Sequence, residues 1–243
     1  MARLKQPMIS FIVPAYNEEH ELSNTLAAIR TAASGAARLY EIIVVDDAST
    51  DATPEIASRV GAKVIQIQRR QIAAARNAGG RAAQGEYLFF IDADTRINRA
   101  HVSGGIAALE GGYAGGSARV TMDGLIPIWG RMLLRGFSSV YFGLNLGAGA
   151  FLFTTRRSFH AIGGFDEQYF AGEEVYFSLA LKKLGRFKVL REPVVTSGRK
   201  LRMYPAKQFL CKFFGVIVRG PRAVRSRAKL SLWYDGKRER HPA

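Results

Sequence analysis

The 243-residue chain holds a single cysteine, Cys211, and four histidines. One cysteine has no partner for an internal disulfide, which points to a reducing compartment such as the cytosol. The histidines, His20, His101, His160 and His241, are scattered without the short spacing of a zinc site. No apolar run approaches the roughly 18 residues of a membrane span. The first apolar run, Met8 to Val13, is short and stops at Pro14, so the N-terminus does not read as a secretion signal. Internal repeats and low-complexity stretches are missing too.

What is present suits a compact domain: 48% of the residues are hydrophobic and 23% charged. Charge is distributed unevenly. Residues 1–181 carry 17 Lys/Arg and 17 Asp/Glu, whereas residues 182–243 carry 18 Lys/Arg and 3 Asp/Glu. The whole excess of +15 therefore lies in the last quarter of the chain. A neutral body with a basic end suggests chemistry in the first and contact with something anionic at the second.

The first half alternates short apolar runs with helical patterns. Strands are expected over Met8–Val13, Glu41–Val45, Lys63–Ile67 and Tyr87–Ile91. Helices are expected over Glu18–Arg30, Asp51–Val60 and Ile72–Ala83. Continuous apolar strands that alternate with helices predict a mostly parallel α/β sheet covered on both faces. Beyond residue 100 the pattern loosens. A strand is expected over Gly147–Thr155, a helix over Gly172–Leu184 and a short strand over Phe187–Leu190. This order divides a domain of residues 1–203 into a nucleotide-binding half, 1–100, and an acceptor half, 101–203. Residues 204–243 form a basic extension.

In open parallel sheets, ligands bind beyond the carboxyl ends of the strands. Here the first strand ends in Pro14-Ala15-Tyr16-Asn17-Glu18, the second in Asp46-Asp47-Ala48-Ser49-Thr50-Asp51 and the fourth in Asp92-Ala93-Asp94. Ser49, Thr50 or Asp51 could simply cap the next helix. Three polar or acidic clusters on one edge ask for more, because carboxylates gathered together repel and need a cation. Mg²⁺ or Mn²⁺ answers that need and leaves positions open for phosphate oxygens. Asp92 and Asp94, one residue apart after a buried strand, suit a nucleotide diphosphate. One carboxylate can reach the ribose or base, and the other can hold the metal.

These segments resemble family 2 glycosyltransferases with the GT-A fold. The likeness rests on Ser10–Glu19 (SFIVPAYNEE), Glu41–Thr53 (EIIVVDDASTDAT), Ala74–Gly79 (AARNAG), Gly85–Thr95 (GEYLFFIDADT) and Gly163–Glu167 (GGFDE), spread over roughly residues 8–200. It implies that Pro14, Tyr16 and Glu18 contact the nucleotide and that Asp47, with Asp46 as its alternative, accepts a hydrogen bond from the base. It further implies that Arg76 helps hold the nucleotide, that Asp92 lies near the ribose and donor sugar, and that Asp94 is the metal ligand. Family members usually carry Glu-Asp at the start of the acceptor-side helix, the aspartate acting as base in an inverting displacement. This chain has Glu173-Glu174 there, and Glu174 aligns with the usual aspartate. Gly147–Phe151 and Gly163–Asp166 would shape the acceptor pocket. Phe165, Tyr169 and Phe170 would either stack on a sugar or pack in the core. Some GT-A enzymes place a metal-binding histidine near Ser197–Arg202. This chain has none there, so Arg199 or Arg202 would clamp the diphosphate instead.

In the basic extension, Ala206–Arg219 has an amphipathic pattern, with Gln208, Lys212, Gly215 and Arg219 on one stripe. Arg222, Arg225, Arg227 and Lys229 follow, next to Leu230, Leu232, Trp233 and Tyr234. Basic and apolar residues side by side suit an anionic lipid surface, or else the apolar arc packs on the domain. The expectation is a cytoplasmic enzyme, peripheral on the inner face of a membrane. It would move a sugar from a nucleotide-sugar donor, by family habit a UDP-sugar, to a saccharide or lipid-linked acceptor of the cell-envelope kind. Two alternatives are weaker. A sugar nucleotidyltransferase needs a glycine-rich basic loop after the first strand, and Pro14–Glu18 is neither. A nucleic-acid binder leaves the acidic edge unexplained, because carboxylates repel phosphate.

Overall fold

The computed structural model describes residues 8–208, 210–211, 224–227 and 230. Its elements run β1 Ile9–Ala15, α1 Leu22–Ser34, β2 Tyr40–Asp47, α2 Thr53–Arg59, β3 Lys63–Ile67, α3 Ile72–Ala82, β4 Tyr87–Ile91, β5 Thr95–Arg96 and α4 Arg99–Glu110. There follow β6 Gly115–Met122, α5 Ile128–Gly143, β7 Phe151–Thr155, α6 Arg156–Ala161, α7 Glu173–Leu184, β8 Phe187–Thr196 and α8 Arg199–Met203. One eight-stranded sheet has the order β3-β2-β1-β4-β7-β6-β8-β5. Strands β1 to β4 are parallel, as expected. The second half is mixed: β7 is antiparallel to β4 and β6, β8 is parallel to β6, and β5 is antiparallel to β8. The Ala206–Arg219 pattern lies largely outside the described residues.

The two faces of the sheet explain why the strands read as continuous apolar runs. Alternate residues point to opposite sides. Phe11, Val13, Phe89 and Ile91 pack with Leu22, Leu26, Val102 and Ile106 of α1 and α4. Ile12, Leu88 and Phe90 pack with Ala73, Ala75, Phe159, Phe177 and Leu181 of α3, α6 and α7. Small residues let α3 lie close to the sheet. A Cβ on Gly79 would come within 2.3 Å of Ile12, and one on Gly80 within 2.5 Å of Phe159. That close approach brings Arg76 to the carboxyl edge.

Several boundaries differ from the sequence pattern for identifiable reasons. Helix α1 starts at Leu22 instead of Glu18. Asn17 has a left-handed φ of 50°, and the N–H groups of Glu18 and Glu19 bond across to Thr53 Oγ1 and Asp51. Strand β7 starts at Phe151 instead of Gly147, since the N–H groups of Gly147 and Ala148 go to Ser178 Oγ and Ser117 Oγ. Strand β8 runs on past Leu190 to Thr196 through an irregularity at which Ala118 pairs with Leu190 and Arg119 with Pro193. Proline cannot donate to a ladder, so a pattern reading ends the strand before it. Helix α4 and strand β6 were hidden behind glycines. A Cβ on Gly105 would meet Phe89 at 2.7 Å, and one on Gly116 would meet Lys188 O at 2.2 Å.

Phe90 carries much of one face. Fully buried, it packs against Phe159, Phe165 and Phe177 with ring centroids 5.7, 5.1 and 6.0 Å away. Phe90→Ala is expected to lower the unfolding free energy by about 3–5 kcal/mol in denaturant titration. A loss under about 1 kcal/mol would mean that this face collapses around the cavity and is not close-packed.

Candidate active site

The carboxyl edge opens into a cleft of about 380 Å³. Its first wall comes from the ends of β1, β2 and β4, with Pro14, Tyr16, Glu18, Asp47, Asp92 and Asp94. Its second wall is Gly149, Ala150 and the turn Phe170–Glu174 at the start of α7. Arg76 rises between them from α3, and Arg199 closes one end from α8. Of the residues expected at the nucleotide, the metal or the base, Asp46 and Arg202 do not line this cleft and the others do. The Asp46 side chain is buried beneath the second loop, where it accepts the Ser49 N–H at 3.2 Å.

The first wall is built by bonds between loops. Asn17 N–H donates to Ser49 Oγ (2.9 Å), and the Asn17 amide oxygen accepts Thr50 N–H (2.8 Å). Asp51 takes the N–H and hydroxyl of Thr53 (3.0 and 2.5 Å) together with Glu19 N–H (3.2 Å). It thus ties the loops as well as starting α2, while Ser49 serves the first loop. The Asp47 carboxylate accepts three backbone N–H groups, from Arg69, Arg70 and Gln71, each at 2.7 Å. Asp47 thereby shapes the loop between β3 and α3. That loop supplies residues the sequence reading passed over. The Arg70 guanidinium lies 3.3 Å over the Tyr16 ring, and Arg70 has a left-handed φ of 49°. Arg70 and Gln71 both line the cleft. Their signal was available, because Gln68-Arg69-Arg70-Gln71 follows β3 at the same sheet edge as the other clusters.

Arg76 is 1% exposed. Its Nη1 donates to Glu173 Oε1, and its Nη2 donates to Asp92 Oδ1 (2.7 Å) and Gly149 O (2.9 Å). Its Nε has no partner. Burial works against its charge, but Asp92 and Glu173 outweigh that, and its pKa is raised. Arg76 therefore joins Asp92 of the first wall to Glu173 of the second. Asp92 is pushed up to about 6, by burial first and by Asp94, with Arg76 pulling the other way. Glu174 is pushed up to about 8, by burial first and then by Glu173.

Arg199 forks onto Glu18, Nη1 to Oε2 at 2.7 Å and Nη2 to Oε1 at 2.6 Å, and lies 3.2 Å from Asp94 Oδ2. Thr196 Oγ1 donates to Asp94 Oδ1 at 3.1 Å. Arg202, the other candidate clamp, instead bonds Asp123 O (2.9 Å) outside the cleft lining. Among the described residues no three His, Cys, Asp or Glu side chains form a ready-made metal cage. The residues still fit Mg²⁺ or Mn²⁺, which take one or two carboxylates and complete their shell with substrate phosphates. Asp94 is placed for this, with Asp92 beside it.

Around the second wall, two aromatics are committed to packing. Phe165 stacks on Phe177 (3.9 Å, 5°), and Tyr169 stacks on Tyr176 (3.8 Å, 9°). Phe170 lines the cleft. Part of the basic extension returns here: Phe170 N–H donates to Val224 O (2.7 Å), Arg225 Nη2 donates to Tyr169 Oη (3.0 Å), and Leu230 is buried.

The buried charge pattern makes a test. Arg76→Ala would leave Asp92 and Glu173 facing each other without their cation, at an expected cost of about 3–5 kcal/mol in unfolding free energy near neutral pH. The loss should shrink in acid, as Asp92, already pushed up to about 6, takes up its proton. Lysine, a single point donor, should restore only part of it. If Arg76→Ala unfolds like the parent chain, the three-way bridge is not a structural element.

Similarity to known proteins agrees with this geometry. The family model described as glycosyl transferase family 2 matches residues 10–166. The putative glycosyltransferase EpsH of Bacillus subtilis is 35% identical over 99 residues, 39% of this chain and 28% of that protein. The succinoglycan biosynthesis protein ExoO of Rhizobium meliloti is 27% identical over 220 residues, 85% of this chain and 61% of that protein. The chain thus spans less than two thirds of the length of these relatives. The crystal structure of S. aureus TarS superposes with a TM-score of 0.60 at 20% identity, covering 80% of this chain and 62% of that one. The mannosyltransferase PcManGT of Pyrobaculum calidifontis, in complex with GDP-Man and Mn²⁺, has a TM-score of 0.60 at 20% identity, covering 88% and 65%. At that identity the two structures share the fold with this chain.

Proposed function

The chain belongs to glycosyl transferase family 2, and from that premise we propose that it is an inverting enzyme moving a sugar from a nucleotide-diphospho-sugar to a hydroxyl acceptor. The observation that carries this reading is one cleft with two chemically different walls, bridged by a buried arginine. TarS has been solved in complex with UDP-GlcNAc and PcManGT with GDP-Man. UDP-sugar is the proposed donor here, and the acceptor a saccharide or lipid-linked glycan of the cell envelope.

On the donor side, Tyr16 and Asp47 face the base, while Pro14 and Glu18 contact the nucleotide. Asp92 lies by the ribose and donor sugar, and Asp94 would hold Mn²⁺ or Mg²⁺ when the donor is bound. A metal there offsets the charge that develops on the departing diphosphate. Arg199, already between Glu18 and Asp94, adds a guanidinium that suits phosphate oxygens. The reaction is a single displacement. The acceptor oxygen bonds to the anomeric carbon as the bond from that carbon to the phosphate oxygen breaks. The electron pair leaves with the nucleoside diphosphate, and the hydroxyl proton passes to Glu174.

Glu174 is favoured as the base by its neighbour's engagement. Arg76 neutralises and fixes Glu173, whereas Glu174 stands half-buried at the cleft with a raised proton affinity. A base acts only when deprotonated, so kcat/KM should climb with pH and level off above about 8. Glu174→Gln should lower turnover by about 10²–10⁴-fold and flatten that limb. In calorimetry, UDP with Mn²⁺ should bind this variant as it binds the parent, while Asp94→Ala weakens the metal-dependent part. Turnover near the parent level in Glu174→Gln would move the base elsewhere. No nucleotide binding with metal present would defeat the donor assignment itself.

A further inference from the structure

We infer that the returning part of the basic extension, around Val224 and Arg225, is a strap that positions the second wall of the cleft, with Arg225 as its positioning residue. The turn Phe170–Glu174 brings both glutamates to the cleft. Phe170 N–H donates to Val224 O at 2.7 Å, so the main chain of the wall is bonded to the main chain of the extension. One residue on, Arg225 Nη2 donates to Tyr169 Oη at 3.0 Å, and the guanidinium lies 5.1 Å from the centre of the Tyr169 ring. Leu230 is buried, and its N–H donates to Arg227 O at 3.0 Å, which gives the strap an apolar anchor.

Tyr169 carries that hold toward the proposed base. It is 5% exposed, and its ring lies flat on that of Tyr176, 3.8 Å away at 9°. Tyr176 belongs to α7, two residues after Glu174. From the other direction, the side-chain amide of Gln71 donates to Glu167 O at 2.5 Å and to Tyr169 O at 3.4 Å. The turn is thus gripped between the first wall and the extension. Gly172, with a left-handed φ of 73°, stands between this grip and α7. A glycine in that conformation lets the chain pivot, so contacts made outside the turn decide where α7 begins. Supporting contacts of this kind set the geometry of a reacting group, and a shift of about 1 Å can cost a hundredfold in rate. As a role in transfer, the strap rests on Glu174 as the proposed base. As a bond between the extension and the wall, it does not.

The test uses the full chain with Arg225→Ala, Arg225→Lys and Tyr169→Phe, and with Arg59→Ala on α2 to remove the same charge elsewhere. In Arg225→Ala, amide hydrogen exchange should be about tenfold faster across Phe170–Phe177 and unchanged in β1 and β4. With UDP-GlcNAc, Mn²⁺ and water standing in for the acceptor, UDP release should show kcat lower by about tenfold to a hundredfold. KM for the donor should stay within about twofold. Tyr169→Phe keeps the ring stack but not the hydroxyl, and it should reproduce the Arg225→Ala effect. Lysine keeps a cation and a donor and should recover most of kcat, while Arg59→Ala should match the parent. Exchange across Phe170–Phe177 that is the same in parent, Arg225→Ala and Tyr169→Phe would overturn the strap. Faster exchange with kcat unchanged would overturn the positioning role. A parent chain that binds UDP with Mn²⁺ but turns over no donor would defeat the transfer reading, and the exchange rates alone would then decide whether the strap exists.

Discussion

The guanidinium of Arg76 is the point on which the two halves of the molecule depend. It is almost wholly buried and bonds at once to Asp92 on one wall of the cleft, Glu173 on the other and the carbonyl of Gly149. Removing charges from water is costly unless they are paired and hydrogen-bonded. Here one cation serves two carboxylates from the two walls of the cleft, so their relative position follows from electrostatics and not from loop flexibility. The pairing also distinguishes the adjacent glutamates. Glu173 has its charge answered, whereas Glu174 meets burial and a like charge and holds its proton more tightly.

The placement of Arg76 depends in turn on backbone packing. Helix α3 carries Ala73-Ala74-Ala75 before the arginine and Gly79-Gly80 after it, and the glycines leave no room for a Cβ against Ile12 and Phe159. A bulkier helix would stand off the sheet and lift Arg76 away from Asp92. Asn77 fixes the same helix to the loop before α7 through reciprocal bonds with Phe165, both at 2.8 Å. The loops of the first wall are bound together as closely, through Asn17 to Ser49 and Thr50 and through Asp47 to three backbone N–H groups. Much of the polar sequence at this edge thus shapes the cleft by bonding to other protein groups.

That double use explains what the sequence made legible. Strand β4 matches the expected Tyr87–Ile91, because a buried strand bounded by polar turns leaves a plain pattern, and the half-exposed edge strand β3 matches Lys63–Ile67 as well. The gathering of Tyr16, Glu18, Asp47, Asp92 and Asp94 at one edge was legible for the same reason. What sequence could not supply was partner choice. Nothing in the spacing shows that Asp46 turns under its loop, that Arg199 meets Glu18 across 181 positions, or that Phe165 stacks on Phe177. Strand β6 was hidden because its glycines serve close contact with Phe153 and Lys188, and glycine otherwise reads as loop. The irregularity at Pro193 likewise concealed the outer half of β8.

The charges that line the cleft do not balance. Glu18, Asp47, Asp92, Asp94, Glu173 and Glu174 face Arg70, Arg76 and Arg199, six carboxyl groups against three guanidinium groups. Even with Glu174 protonated near neutral pH, as its value of about 8 implies, five carboxylates stand against three cations. A diphosphate brings further negative charge into this excess, and two of the arginines are already divided among protein carboxylates. Coulomb repulsion in a partly desolvated cleft is too strong to leave unanswered. A divalent cation at Asp94 would release Arg199 from that carboxylate and free its guanidinium toward phosphate. Metal and arginine would then act in sequence on the same charge, and the acidic edge that repels a bare diphosphate would bind a metal-bound one.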